Sequence, residues 1–365
     1  MRMFSFLFIL SAALLPSACA PTTQTPNISN SMAAEEVALQ RELAVKENTK
    51  MAQRLENIAA PILLANAPLC EDMVAPYVGA HFITKDAVHK DYRETMAKLY
   101  GVDSRPTVTM IAEKTPASKV LKVGDMITHV DGQTLPEGKA GLKKLETLLN
   151  KNEVATPMKL TLDRAGKSVD VTLNPVHACN SPVTLAMSDA VNAAADGKNI
   201  IVTKGMMRFV ENDTELATVV GHELAHNTRA HVAAKSGNAI IGGILGAVVT
   251  VATGVDVTDL GMQIGAGVNS QGFEAEADYV GLYHTARAGY NIDQAPNLWR
   301  RMAASNPGAI HMAGGSHPST AKRFLALEAT VKEIKSKKAK GQKLVPEERQ
   351  VQPAQATEHK PGGND

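Results

Sequence analysis

Two short motifs constrain this chain of 365 residues more than anything else in it. In HELAH, His222 and His226 stand four residues apart, and in EAEAD so do Glu274 and Asp278. Side chains four apart on an α-helix share one face. Both surroundings read as helix. Asn212 followed by Glu215 is a capping box that opens a helix with Leu216, Val219, Val220 and Leu224 on an apolar face. FEAEADYVGLYHTARAGY has helical periodicity and closes at Gly289. Gly221 within the first helix costs about 1 kcal/mol relative to alanine, which points to a close approach there.

The residue types indicate the chemistry. Two imidazoles one turn apart can both reach a zinc ion at about 2.0–2.1 Å. Glu223 faces the neighbouring side, where it can take the proton of an attacking water instead of binding the metal. A zinc site needs a third protein ligand, and Glu274 can supply it. Asp278 can accept the spare N–H of a ligating histidine and fix its tautomer. Glu276 lies on another face and reads as solvent-exposed. His231 and His284 fall outside the motifs and read as ordinary helix histidines.

HELAH, EAEAD and the later SHPSTAKR together resemble the zinc metallopeptidase family of the CAAX prenyl proteases, HtpX and BepA, in its soluble exported branch. The resemblance covers roughly residues 180–335. It implies one zinc per chain held by His222, His226 and Glu274, with Glu223 as general base and Asp278 behind a ligand. It also implies that His317 and Arg323 lie near the metal. There His317 is either a resting fourth ligand or a donor to the oxyanion. The plain alternative is a helix opened by Pro318, with His317 and Arg323 solvated.

A second region changes period. PTVTMIA, MKLTLD and SVDVTLNPV alternate as strands. Gly124-Asp125 and Asp131-Gly132 are turn signals around MITHV. Pro116-Ala117, Val123-Gly124-Asp125 and Val130-Asp131-Gly132 resemble the PDZ domain of bacterial exported proteases. That resemblance implies strand addition of a peptide and capture of its terminus. Tyr100-Gly101-Val102 is either the loop that holds the carboxylate or an ordinary turn.

The first residues, MRMFSFLFILSAALLPSACA, read as a secretory signal peptide. Two cuts are open: after Ala20, or before a lipidated Cys19. The lipoprotein reading anchors the protein to a membrane, and either cut exports it. Export permits a disulfide between Cys70 and Cys179, the two remaining cysteines. A net charge of +1 excludes a nucleic-acid surface as the basis of function.

The expected fold is α+β, with a mainly helical zincin-type domain and small sheet behind a PDZ-like β-rich domain. The expected order is signal peptide 1–19 of lipoprotein type, tether 20–32 and a helical region 33–99 whose helix stops at Pro61. A PDZ domain 100–178, a zinc metallopeptidase domain 180–335 and a disordered tail 336–365 follow. The uncharged segment Ser236–Val255 reads as a packed glycine-rich helix or a lid, with shallow membrane contact as the alternative. The strand in NIIVTKGMM is an expected edge for substrate. The reading is a periplasmic endopeptidase, lipid-anchored to the outer membrane, that cleaves unfolded or damaged envelope proteins. The alternatives are a PDZ-based binding or chaperone-like lipoprotein and, less favoured, a zinc amidohydrolase or deformylase.

Overall fold

A computed structural model describes residues 23, 25–151, 156–232, 271–305 and 321–348. The described residues up to Gln40 belong to one unit and those from Arg41 onward to another. Helix α1 (Asn30–Asn66) begins in the first unit, where Met32, Val37 and Leu39 are exposed. In the second unit it buries Leu55, Ile58, Ala59, Ile62 and Leu63. Pro61 therefore does not stop it. An interior proline costs about 3 kcal/mol or more. Burial of Ile62 and Leu63, at about 1.5–3 kcal/mol each, offsets that cost. Asn66 then secures the last turn by donating to the carbonyls of Ile62 at 2.8 Å and His284 at 2.9 Å.

The next elements are β1 (Val74–Tyr77), β2 (Ala80–Ile83), α2 (Arg93–Tyr100), β3 (Thr107–Ile111), α3 (Pro116–Val120) and β4 (Met126–Val130). After them come β5 (Gln133–Thr134), α4 (Gly138–Lys151), β6 (Met158–Arg164), β7 (Lys167–Leu173) and β8 (Val176–Cys179). Five strands make an antiparallel sheet in the order β2-β3-β4-β6-β7, with β5 beside β4. Met158, Leu160 and Leu162 alternate inward to a core with Val108, Ile127 and Leu145. The sheet starts at Ala80 and not at 100. Pro76, Gly79 and a register shift between His81 and Phe82 break the alternation that would have marked the earlier strands. Strand β1 pairs with β8, and a disulfide joins Cys70 to Cys179 across a Cα separation of 5.6 Å.

A small sheet of β9 (Val183–Ala186), β10 (Ala193–Ala195) and β11 (Ile200–Thr203) leads into the helices. Its order is β10-β11-β9. The expected substrate edge in NIIVTKGMM is thus a central strand, hydrogen-bonded on both sides. Then come α5 (Lys204–Phe209), α6 (Asp213–Thr228), α7 (Gln271–Arg287), α8 (Ala295–Ser305) and α9 (Ala321–Ala339). Residues 336–348, expected in the tail, are folded: α9 runs to Ala339 and residues 340–348 fold back on α7. Arg287 donates to the Leu344 carbonyl at 3.0 Å, and the Glu347 N–H to the Tyr279 hydroxyl at 3.0 Å. Leu344 packs against the core of Tyr283, Trp299 and Leu327, so a sparse apolar composition suffices to hold this stretch. Cys19, the segment 236–255, His317 and residues 349–365 lie outside the described residues. Among the described residues no helix is long and apolar enough to cross a membrane. The chain is α+β.

Candidate metal centre

Helix α6 opens on the expected Asn212 cap, while the reciprocal bond of Glu215 goes one residue earlier than a capping box places it. The Asn212 side chain accepts from the Glu215 N–H at 3.0 Å, and Glu215 accepts from the Glu211 N–H at 2.8 Å. Arg301 of α8 clamps the Glu215 carboxylate at 2.9 and 2.8 Å. At the other end Asn227 donates to the Ser181 hydroxyl at 2.8 Å and accepts from the Gly197 N–H at 2.9 Å, tying α6 to the small sheet.

The crossing of α6 and α7 is made by two glycines. A β-carbon on Gly221 would stand 2.4 Å from Thr285 Oγ1 and 2.7 Å from the Gly281 carbonyl oxygen. His284, buried beneath, sets Nδ1 at 3.3 Å from the Gly221 carbonyl. Burial holds that imidazole's pKa down at about 4, so it is neutral there. Backbone contact between the helices brings the faces of His222, His226 and Glu274 together.

All three are buried, and their ligand atoms converge. His222 Nε2 lies 3.2 Å from His226 Nε2 and 3.5 Å from Glu274 Oε2, while His226 Nε2 lies 3.4 Å from Glu274 Oε1. Ligands at about 2.0–2.1 Å around a tetrahedral zinc stand about 3.3 Å from one another. The three separations fit that figure, and two imidazoles with one carboxylate are a zinc donor set. The residues present therefore fit zinc, and among the described residues they supply three of its four positions. Glu223, also buried, follows His222 on the adjoining face.

Behind the ligands stands a charged second layer. Asp278 Oδ1 is 3.1 Å from His222 Nδ1. Arg323 of α9 grips the same carboxylate through Nε at 2.7 Å and Nη2 at 2.8 Å. Burial works against the Asp278 charge, but the Arg323 fork outweighs it and keeps the pKa below the ordinary value. Burial likewise opposes a charged His222. The Asp278 and Glu274 carboxylates prevail and raise its pKa to about 10 in the metal-free site. Trp299 of α8 packs its ring 4.9 Å from His222, and the Arg323 guanidinium lies 5.7 Å over that indole. These contacts tie Arg323 to the aspartate beside His222, and its Nη2 also stands 3.5 Å from Glu274 Oε2.

Of the two readings of Tyr100-Gly101-Val102, the structure has the ordinary turn: it is the end of α2. Gly101 adopts the left-handed conformation at φ 68°, which suits a helix C-cap. The N–H of Gly101 donates to the Ala97 carbonyl at 3.0 Å and that of Val102 to Met96 at 3.5 Å, so both donors are spent on the helix. His231 departs from the ordinary helix histidine expected, whereas Glu276 is exposed as expected. His231 is buried with Nδ1 3.0 Å from His226 Nδ1, and its Nε2 lies 3.2 Å from Glu276 Oε2. Helical spacing hid this. Five residues along a continuing helix place His231 roughly 140° around from His226. The helix ends at Thr228, and Ala230 turns the chain at φ 51°.

Residues 161–331 match Peptidase family M48 and residues 76–174 match the PDZ domain. A beta-barrel assembly-enhancing protease of Yersinia pestis is 31% identical over 133 residues, covering 33% of this chain and 27% of that protein. The mitochondrial metalloendopeptidase OMA1 of Saccharomyces cerevisiae is 28% identical over 161 residues, 41% of this chain and 44% of that protein. That of Arabidopsis thaliana is 32% identical over 136 residues, 37% of this chain and 28% of that protein. The chain thus spans less than half the length of these relatives.

Proposed function

We infer that this chain, in which a Peptidase family M48 domain is joined to a PDZ domain, is a zinc-dependent endopeptidase. The observation that carries the reading is the convergence of His222, His226 and Glu274 at tetrahedral spacing, with Glu223 beside them. Zinc, when bound, supplies a Lewis acid that polarises the scissile carbonyl and acidifies water. Glu223 accepts the proton of the attacking water and later delivers it to the leaving amine. Asp278, pinned by Arg323, keeps His222 in the tautomer that offers Nε2 to the metal.

One sheet edge supports a polypeptide substrate. Strand β2 is an edge of the larger sheet. The Asp86 carboxylate just beyond it accepts from the Lys139 N–H at 2.9 Å, so one end of β2 meets the start of α4. A peptide added to β2 would lie along α4, and this edge replaces Tyr100-Gly101-Val102 as the proposed peptide site. Unfolded or damaged envelope proteins suit this edge. Export to the periplasm, with lipid anchoring at Cys19, belongs to the same proposal.

Glu223→Gln tests the function. It keeps size and polarity while removing the base, so zinc content and folding should persist and cleavage of unfolded casein should fall about 10²–10⁴-fold. Wild-type turnover in this variant would overturn the enzymatic role of the site. Absence of cleavage by a zinc-loaded wild type would favour the binding or chaperone-like alternative.

A further inference from the structure

We propose that His231 and Glu276 form a relay that fixes the tautomer and orientation of the ligand His226, and so set the zinc affinity of the site. The inference rests on the zinc reading above and deepens it. His226 presents Nε2 to His222 and Glu274. A neutral imidazole that gives Nε2 to a metal carries its proton on Nδ1. That N–H faces His231 Nδ1 at 3.0 Å. Nδ1 of His231 must then be the acceptor, which puts the His231 proton on Nε2, 3.2 Å from the Glu276 carboxylate. Every proton in the series is thereby placed: His226 donates to His231, and His231 donates to Glu276.

The two zinc histidines are thus held differently. His222 leans directly on Asp278, while His226 reaches its carboxylate through a second imidazole. Outer partners of this kind orient a ligating imidazole and raise its basicity. The backbone carries a cost for the arrangement. Ala230 holds φ 51°, a left-handed conformation that costs a residue with a β-carbon about 1–2 kcal/mol. That turn returns His231 to the ligand it would otherwise face away from. Phe273, just before Glu274, stacks on the His231 ring at 4.7 Å and 25° and holds its plane. His231 is a positioning residue in this account, and it does not touch substrate.

The test compares His231→Phe, His231→Asn and Glu276→Ala with the wild-type protein. Phenylalanine keeps the ring, the burial and the stack on Phe273 but accepts no hydrogen bond. Asparagine restores an acceptor close to the position of Nδ1. Zinc affinity is read by competition with a chromophoric chelator. The fluorescence of Trp299, the single tryptophan, whose ring lies 4.9 Å from His222, is followed in parallel. The relay predicts zinc affinity lowered about 10–100-fold in His231→Phe, largely recovered in His231→Asn and lowered in Glu276→Ala. A packing role is satisfied by phenylalanine and predicts no change. A folded His231→Phe with wild-type zinc affinity overturns the relay. If His231→Phe does not fold, Glu276→Ala at a half-exposed position decides: wild-type affinity there overturns it, and weakened affinity supports it. A wild-type protein that binds no zinc sinks the metal reading itself, separately from the relay.

Discussion

A β-carbon on Gly281 of α7 would stand 2.8 Å from the Cα of His222 on α6. The position of the first zinc ligand therefore depends on the absence of a side chain one helix away. Gly281→Ala should push the helices apart, destabilise the fold by about 1–3 kcal/mol through overpacking, and draw Glu274 off the histidine pair. Urea unfolding and zinc titration of the same variant check this. Unaltered stability together with wild-type zinc affinity would show that the crossing tolerates more room than the geometry allows.

Proton release is a second consequence. Burial disfavours a charged His222, yet Asp278 and Glu274 raise its pKa to about 10 in the metal-free protein. Zinc requires the neutral imidazole, so its uptake displaces that proton. Between pH 7 and 9, zinc affinity should rise about tenfold per pH unit. The metal-free fold should move the other way. Its folded pKa exceeds the unfolded value, so the His222 contribution is complete below about 6.5 and is lost as pH rises through about 10. Calorimetry in buffers of different ionisation heat should register about one proton released per zinc. Equal heats in all buffers would contradict it.

His284 titrates in the opposite sense. Burial lowers its pKa to about 4, so its contribution is present above about 6.5 and is lost as pH falls toward 4. Replacing it with leucine should flatten the acid limb of the stability curve of the metal-free protein, measured by denaturant unfolding from pH 7 to 4. An equally steep acid limb in His284→Leu would assign the loss to other groups.

The Cys70–Cys179 bond closes a loop with a sequence separation of 109. Removing a native disulfide of this kind costs about 2–5 kcal/mol. A Cys70→Ser/Cys179→Ser protein should show that loss in its urea midpoint. Coincident midpoints for the double variant and the oxidised parent would mean that the bond does not form in solution.

Period and capping made α6, α7 and their ligands legible, because residues four apart share a face whatever the tertiary fold does. The cost of Gly221 likewise signalled the crossing, although its partner Gly281 carried no signal of its own. What the sequence hid was decided by contacts between distant segments. Pro61 looked like a stop because the burial of Ile62 and Leu63 lies outside any local rule. The early strands β1 and β2 were masked by Pro76, Gly79 and a register shift. His231 was read against a continuing helix, while Ala230 had already turned the chain. Arg323 was read from its motif, and only the packing of α9 on α7 shows that its fork belongs to Asp278.

The central claim is that His222, His226 and Glu274 hold the zinc on which turnover depends. Metal content and casein cleavage, measured on one preparation before chelation, after it and after zinc is restored, test it most directly. The account predicts one zinc per chain, loss of metal and turnover together, recovery of both on zinc addition, and neither in Glu274→Ala. Full turnover with zinc verified absent would contradict it.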